Sequence, residues 1–192
     1  LMLLGWLVSL GQQPLQAMGV SGLAGWLLVE RLQRQTQERD QLRTLSTLWL
    51  VGLQTCGLAW LALPIDLRQT LLIAAQKFSV EPVSALNIAG VWLYGYVGLM
   101  ALGVRQFRHQ GNDAWAQQTE RLALGLSSAL LLCALPQAES FLFTLSMLGL
   151  TLTFGAFTRL RPPATSWLIY GTHSAAIATF LSGLYVISMR VS

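Results

Sequence analysis

Long apolar runs separated by short polar segments set the pattern of this chain. The hydrocarbon core of a bilayer is about 30 Å thick, so a helix needs about 20 apolar residues to cross it. By this criterion the runs predict about six full spans and one partial span at the N-terminus. The predicted spans are 1–11 (the partial one), 14–29, 44–64, 83–104, 122–135, 140–158 and 164–189. The pattern therefore predicts an all-α fold, a polytopic transmembrane helix bundle.

The segment 66–80 has a different pattern, because apolar residues recur there only along one side of a helix. Leu67, Leu71, Ala75 and Phe78 share that side, and the charged and amide side chains lie mostly elsewhere. A helix of this kind can lie flat in the headgroup region. We expect an interfacial amphipathic helix between 44–64 and 83–104, the third and fourth predicted spans when the partial one is counted, with an ordinary surface loop as the alternative.

Composition supports a membrane protein rather than a soluble one. Apolar residues make up 54% of the chain, charged residues only 10%, and the mean hydropathy is +0.54. Soluble domains carry about a quarter charged residues, which they need to cover their surface. We therefore expect 1–192 to form a single integral-membrane helical domain. Because the chain opens on Leu1, we also expect its N-terminus to be incomplete.

The basic residues are concentrated in alternate polar segments. Nine of the 12 Lys and Arg residues lie in 30–43, 105–121 and 159–163, and only Arg68 and Lys77 lie in the segments between. Cytoplasmic segments of membrane proteins carry an excess of Lys and Arg. The three basic segments are predicted to lie on the cytoplasmic side, and the C-terminus on the opposite side. The net charge of +4 is modest, so the expected partners are the lipid bilayer and other membrane subunits, with no nucleic acid.

Several classes of function need residues that this chain does not place at membrane depth. No Asp, Glu, Lys or Arg lies near the middle of a predicted span, whereas proton-coupled pumps and ion antiporters depend on such groups. The chain also has no HExxH, no GxSxG and no paired acids at metal-ligand spacing. These absences argue against ion-coupled transport and favour a non-enzymatic protein.

Small residues recur every four positions in two of the predicted spans. Such stripes let helix backbones approach closely, which matters because lipid provides no hydrophobic force between helices. They could dock another subunit or pack inside the same bundle, and the sequence leaves both open. The two stripes are Gly171, Ala175, Thr179 and Gly183 in the last span, and Ala17, Ser21 and Gly25 in the second.

His173 is the single histidine inside a predicted span. Its simplest role is that of a neutral imidazole hydrogen-bonded to a neighbouring helix, with no cofactor. The alternative is an axial ligand to a haem or a chlorophyll-type pigment, because a neutral ring nitrogen binds such metals. Gln54, Asn87 and Tyr94 are the other polar side chains that could line a pocket within the membrane.

These features predict an accessory, assembly or scaffolding subunit of a larger membrane complex. Catalytic and ion-coupling groups are missing from the spans, whereas faces suited to helix packing are plentiful. One alternative is a small-molecule permease or substrate-binding membrane subunit that uses Gln54, Asn87, Tyr94 and His173. The other is a pigment- or haem-binding subunit that uses His173.

The arginine distribution makes a testable prediction of topology. Single cysteines at Thr36 and Asn112, in a background without the two native cysteines, should be labelled by an impermeant maleimide from the same side of the membrane. A cysteine at Thr70 should be labelled only from the opposite side. Labelling of positions 36 and 112 from opposite sides would contradict the predicted orientation.

Overall fold

Seven helices make up the regular structure of the described residues in this computed structural model. It describes residues 14–77, 85–135, 141–160 and 166–191, and within these ranges all regular secondary structure is helical. The predicted partial span 1–11 lies outside them. The helices are α1 (Pro14–Arg34), α2 (Glu38–Ala62), α3 (Ile65–Gln76), α4 (Ala85–His109), α5 (Asp113–Ala134), α6 (Phe141–Leu160) and α7 (Ser166–Val191).

Four of these helices are long and apolar enough to cross a membrane. Their candidate spans are Glu38–Ala62, Ile88–His109, Leu142–Leu160 and Trp167–Met189, which belong to α2, α4, α6 and α7. The all-helical fold is therefore confirmed, whereas the count of about six full spans is not. The other two long helices, α1 and α5, carry charged residues at one end. In α5 these are Asp113, Glu120 and Arg121, all in its first half.

Two of the basic segments, 30–43 and 105–121, are mostly helical. Only 35–37 within 30–43, and 110–112 within 105–121, lie outside helices. Polar residues there continue the helices beyond the apolar runs. Ion pairs one turn apart support these ends: Arg34 donates to Glu30, and Arg43 lies 3.9 Å from Asp40.

The helix α3 coincides with the segment predicted to lie at the interface. It is 12 residues long and none of its residues is buried.

Contacts between helices divide the chain into two compact units, 1–65 and 66–192. In the first unit α1 and α2 pack as an antiparallel pair, with Ala17 and Ser21 buried. A Cβ atom at Gly25 would lie 4.0 Å from Leu48 of α2, so the small residues of α1 bring the helices close together. At the turn, the side chains of Gln35 and Thr44 are hydrogen-bonded.

The second unit is built around α6, which packs against α4, α5 and α7. The buried face of α5 consists mainly of small residues at helical spacing. Because these side chains are short, α5 can approach α4 and α6 closely. The buried residues of α5 are Ala116, Thr119, Glu120, Ala123, Ser127, Leu130 and Ala134.

Gly149 of α6 lies in close contact with Tyr94 of α4. A Cβ atom built on Gly149 would lie only 2.6–2.8 Å from the Tyr94 ring. Those ring atoms lie near the base of the side chain, so they cannot move aside without displacing the whole ring. Glycine is therefore required at position 149 by the contact itself.

This contact predicts that Gly149→Ala destabilises the protein by about 1–3 kcal/mol, the usual cost of overpacking a tight interior. Gly125→Ala is the matched control, since position 125 lies in a helix and a Cβ atom there meets nothing within 4 Å. The measurement is thermal unfolding in detergent. Equal melting temperatures for the two variants would contradict the importance of the Gly149–Tyr94 contact.

Candidate functional site

A tight turn at Gly111 joins α4 to α5. Gly111 has a positive φ of 77°, a conformation that glycine adopts without a steric penalty. The backbone N–H of Asn112 donates to the carbonyl of Phe107 at 2.9 Å, which is the long hydrogen bond of a Schellman helix end. Across the turn, the rings of Phe107 and Trp115 meet edge to face, 5.5 Å apart. The turn brings the end of α4 alongside the first half of α5.

Arg108 and Glu120 form a largely buried ion pair next to this turn. Nη2 of Arg108 donates to Oε2 of Glu120 at 2.8 Å, and Nη1 donates to the carbonyl oxygen of Leu160. Glu120 is only 3% exposed. The Leu160 carbonyl belongs to the last turn of α6, where such groups lack helical partners and favour a nearby cation. One guanidinium group therefore joins three helices.

Further into the second unit, a polar cluster links the same three helices. The hydroxyl of Tyr94 donates to the carbonyl of Ser127 at 3.2 Å, and the Ser127 hydroxyl lies 3.4 Å from that of Thr153. Each of the Ser127 and Thr153 hydroxyls also donates to a carbonyl one turn earlier in its own helix. Because these groups are bonded within the protein, Tyr94 serves packing here rather than an open pocket.

Three pairs of hydroxyl groups connect α6 to α7. Thr144 pairs with Ser182 at 2.7 Å, Thr151 with Thr179 at 3.1 Å, and Thr158 with Thr172 at 3.1 Å. The three threonines of α6 are spaced exactly one heptad apart, the repeat of a left-handed helix pair.

The small-residue stripe of α7 lies at this same contact with α6. A Cβ atom at Gly171 would lie 2.8 Å from the ring of Phe154, and one at Gly183 would lie 3.8 Å from Thr144. Ala175 is buried and Thr179 is bonded to Thr151. The stripe therefore packs against α6 of the same chain.

His173 lies on the opposite side of α7, and its side chain is exposed. Its Nδ1 atom lies 2.7 Å from the carbonyl oxygen of Ile169, one turn earlier in the same helix. Among the described residues, the imidazole of His173 therefore hydrogen-bonds to its own helix and not to a neighbouring one, because the helix supplies the acceptor. Since a carbonyl oxygen only accepts, Nδ1 must carry the proton, and in a neutral ring Nε2 is left as an outward-facing acceptor.

An apolar surface surrounds His173 on this outer face of α7. Tyr170, Ile177, Phe180 and Leu184 are all exposed and follow a three-four spacing with His173 between them. The helix packs chiefly against α6 alone, which covers only its other side. We call these five residues the outer face of α7.

The remaining predicted site residues lie elsewhere. Gln54 belongs to α2 of the first unit, whereas Tyr94 and His173 belong to the second and point in different directions. The side chain of Asn87 lies outside the described part of the structure. The Nε2 atom of Gln54 and the Oγ atom of Ser21 are buried without a hydrogen-bond partner among the described residues.

Two features of the second unit were not predicted from the sequence, although each corresponds to a recognisable spacing of residues. Glu120 follows Arg108 by 12 residues across a glycine-containing turn, a separation that lets facing helices pair opposite charges. The threonines at 144, 151 and 158 are spaced by seven residues within an apolar span. Neither spacing identifies the contacting residue on the facing helix, because that residue depends on which helices pack together.

The ion pair predicts a large difference between two glutamates. Glu120→Gln leaves the guanidinium of Arg108 without a counter-charge and should destabilise the protein by on the order of 3 kcal/mol. Glu30→Gln is the control, since Glu30 and Arg34 are 43% and 78% exposed and such surface pairs contribute little. Thermal unfolding in detergent measures both. Similar losses for the two variants would show that burial does not strengthen the Arg108–Glu120 pair.

Comparison with protein-family models, with curated proteins and with solved structures finds no match to this chain.

Proposed function

We propose that this chain is a non-enzymatic integral membrane subunit that supports the assembly of a larger membrane complex. The observation that carries the proposal is His173 on the outer face of α7. A candidate span presents an imidazole acceptor to its surroundings there, within a continuous apolar surface. In hydrocarbon that acceptor has no water to bond, and polar groups inside membranes are costly unless they are paired.

A transmembrane helix of another subunit would cover this apolar surface and hydrogen-bond to the imidazole. Its apolar side chains would pack on Ile177, Phe180 and Leu184, and one hydroxyl or amide would donate to Nε2 of His173. Interhelical hydrogen bonds of this kind are a regular part of helix association in membranes. The inner side of α7 is already occupied by α6, so the outer face is the side available for such a partner.

The proposal includes a topology of about six full spans. To the four candidate spans it adds α1 and α5, each of which packs against a neighbour that qualifies as a span. In this arrangement the ends of α1, α4 and α6, with their arginines, lie on the cytoplasmic side. The exposed helix α3 then lies along the opposite surface, in the interface.

Two other candidate functions each have one observation in their favour. A small-molecule subunit would use the unpartnered polar atoms of Gln54 and Ser21. Gly25 of α1 lies against Leu48 of α2, and the two helices are antiparallel. Ser21, one turn before Gly25, therefore lies within about one helical turn of Gln54. A pigment-binding subunit would use Nε2 of His173, since a metal macrocycle needs only one ligand from the protein.

Substitutions of His173 test the leading proposal. In glutamine the side-chain amide lies near the position of Nε2, in asparagine it lies near Nδ1, and leucine has neither. Co-purification of partner subunits in mild detergent should fall in the order Gln, Asn, Leu. The Leu variant should associate about tenfold more weakly, since a partner's buried donor left unmet costs about 1–3 kcal/mol.

The same variants distinguish the alternatives. The melting temperature of the isolated chain should not fall in His173→Leu, because the imidazole bonds only its own helix. Partner recovery that is equal for Leu and the parent would overturn the docking proposal. Loss of a visible absorption band on changing His173 to Leu would replace it with the pigment-binding function.

A further inference from the structure

The cytoplasmic-side end of α4 carries a surface cleft of about 500 Å³. Its lining residues are Leu102, Gly103, Arg105, Gln106 and His109, all from α4. Their spacing of three, four and seven residues places them along one side of the helix. The cleft lies near the end of a candidate span, so in a membrane it would meet the lipid headgroups.

Within the described part of the chain, no acidic side chain neutralises the charge of Arg105. The side chains of Arg105 and His109 are exposed and make no hydrogen bond or ion pair with any other residue that the structure describes. No lining residue is acidic. Arg108, close by in the same helix, differs because Glu120 and the Leu160 carbonyl already hold its guanidinium. Arg105 therefore has donors directed at the surroundings of the protein.

An apolar groove runs from this cleft toward the middle of the span. Leu99 and Leu102 are exposed, and Gly95 and Gly98 are exposed positions where a Cβ atom would meet nothing within 4 Å. Because glycine has no side chain, the surface at these two positions is lower than at the neighbouring leucines by the depth of one side chain. A strip of this kind accommodates a hydrocarbon chain. The groove and the cleft together combine a cationic end with an apolar track.

We propose that this surface binds one anionic glycerophospholipid. The lipid phosphate contacts Arg105 and His109, and one acyl chain lies along Gly95, Gly98 and Leu102. Basic groups at the cytoplasmic ends of spans attract anionic lipids, and an arginine fork matches phosphate oxygens. The binding site is independent of the proposed assembly function, since it lies on α4 and not on the outer face of α7.

A second basic cleft, on α1, provides an internal comparison. It has a volume of about 330 Å³ and is lined by Leu27, Glu30, Arg31, Arg34 and Gln35. In this cleft the carboxylate of Glu30 already forms an ion pair with the guanidinium of Arg34. The cleft on α4 is therefore the better site for an anion, and Arg34 supplies a matched control.

The experiment is native mass spectrometry of the full chain with dioleoyl phosphatidylglycerol or dioleoyl phosphatidylcholine. The parent should retain one phosphatidylglycerol in preference to phosphatidylcholine. Arg105→Gln and His109→Gln together should lower that retention about tenfold, and Arg34→Gln should leave it unchanged. Melting temperatures of the delipidated variants should equal that of the parent, because neither side chain holds the fold together.

Three results would overturn the proposal. Equal retention of the two lipids would show that charge does not select the ligand. An equal loss in Arg34→Gln would show a diffuse electrostatic effect rather than a site on α4. Complete displacement of the lipid by millimolar glycerol 3-phosphate would show that a free phosphate suffices and that the apolar groove contributes nothing.

Discussion

The Arg108–Glu120 ion pair is the interaction on which the second unit depends. It joins α4 to α5 directly, and through the Leu160 carbonyl it fixes the end of α6 beside them. A buried charge without its partner is costly, so these three helix ends can be arranged in very few ways. The turn at Gly111 makes the pair possible, since it reverses the chain within three residues.

Away from this ion pair, the helices are held together by the close approach of their backbones and by hydrogen bonds between hydroxyl groups. Lipid tails are as apolar as leucine, so helices in a membrane gain little from burying leucine alone. The chain instead places small residues along α5 and α7 and sets Gly149 under the ring of Tyr94. The paired threonines of α6 and hydroxyls of α7 form bonds along the same contact. This packing leaves many large apolar side chains exposed.

The contrast between the inner and outer sides of α7 is the basis of the proposed function. On the inner side, the hydroxyls are paired and the small residues are covered by α6. On the outer side, Tyr170 and Phe180 are exposed and the Nε2 atom of His173 faces outward. A similar contrast separates Arg108, which is held inside the protein, from Arg105, which is not. In both cases the groups that the fold does not use are the ones on which the proposed partner and lipid sites rest.

The sequence by itself determined the class of the protein, because the length of its apolar runs and its low charge do not depend on how the helices pack. The predicted spans 14–29, 44–64 and 140–158 each lie largely within one helix, and the small-residue stripe of α7 could be identified by its spacing. The tertiary structure decided what each polar residue contacts. Glu120 is buried only because the turn at Gly111 places it against Arg108. His173 faces outward because α7 turns its small residues toward α6. Helical periodicity fixes which residues share a face, but the neighbour of that face depends on the packing of the whole bundle.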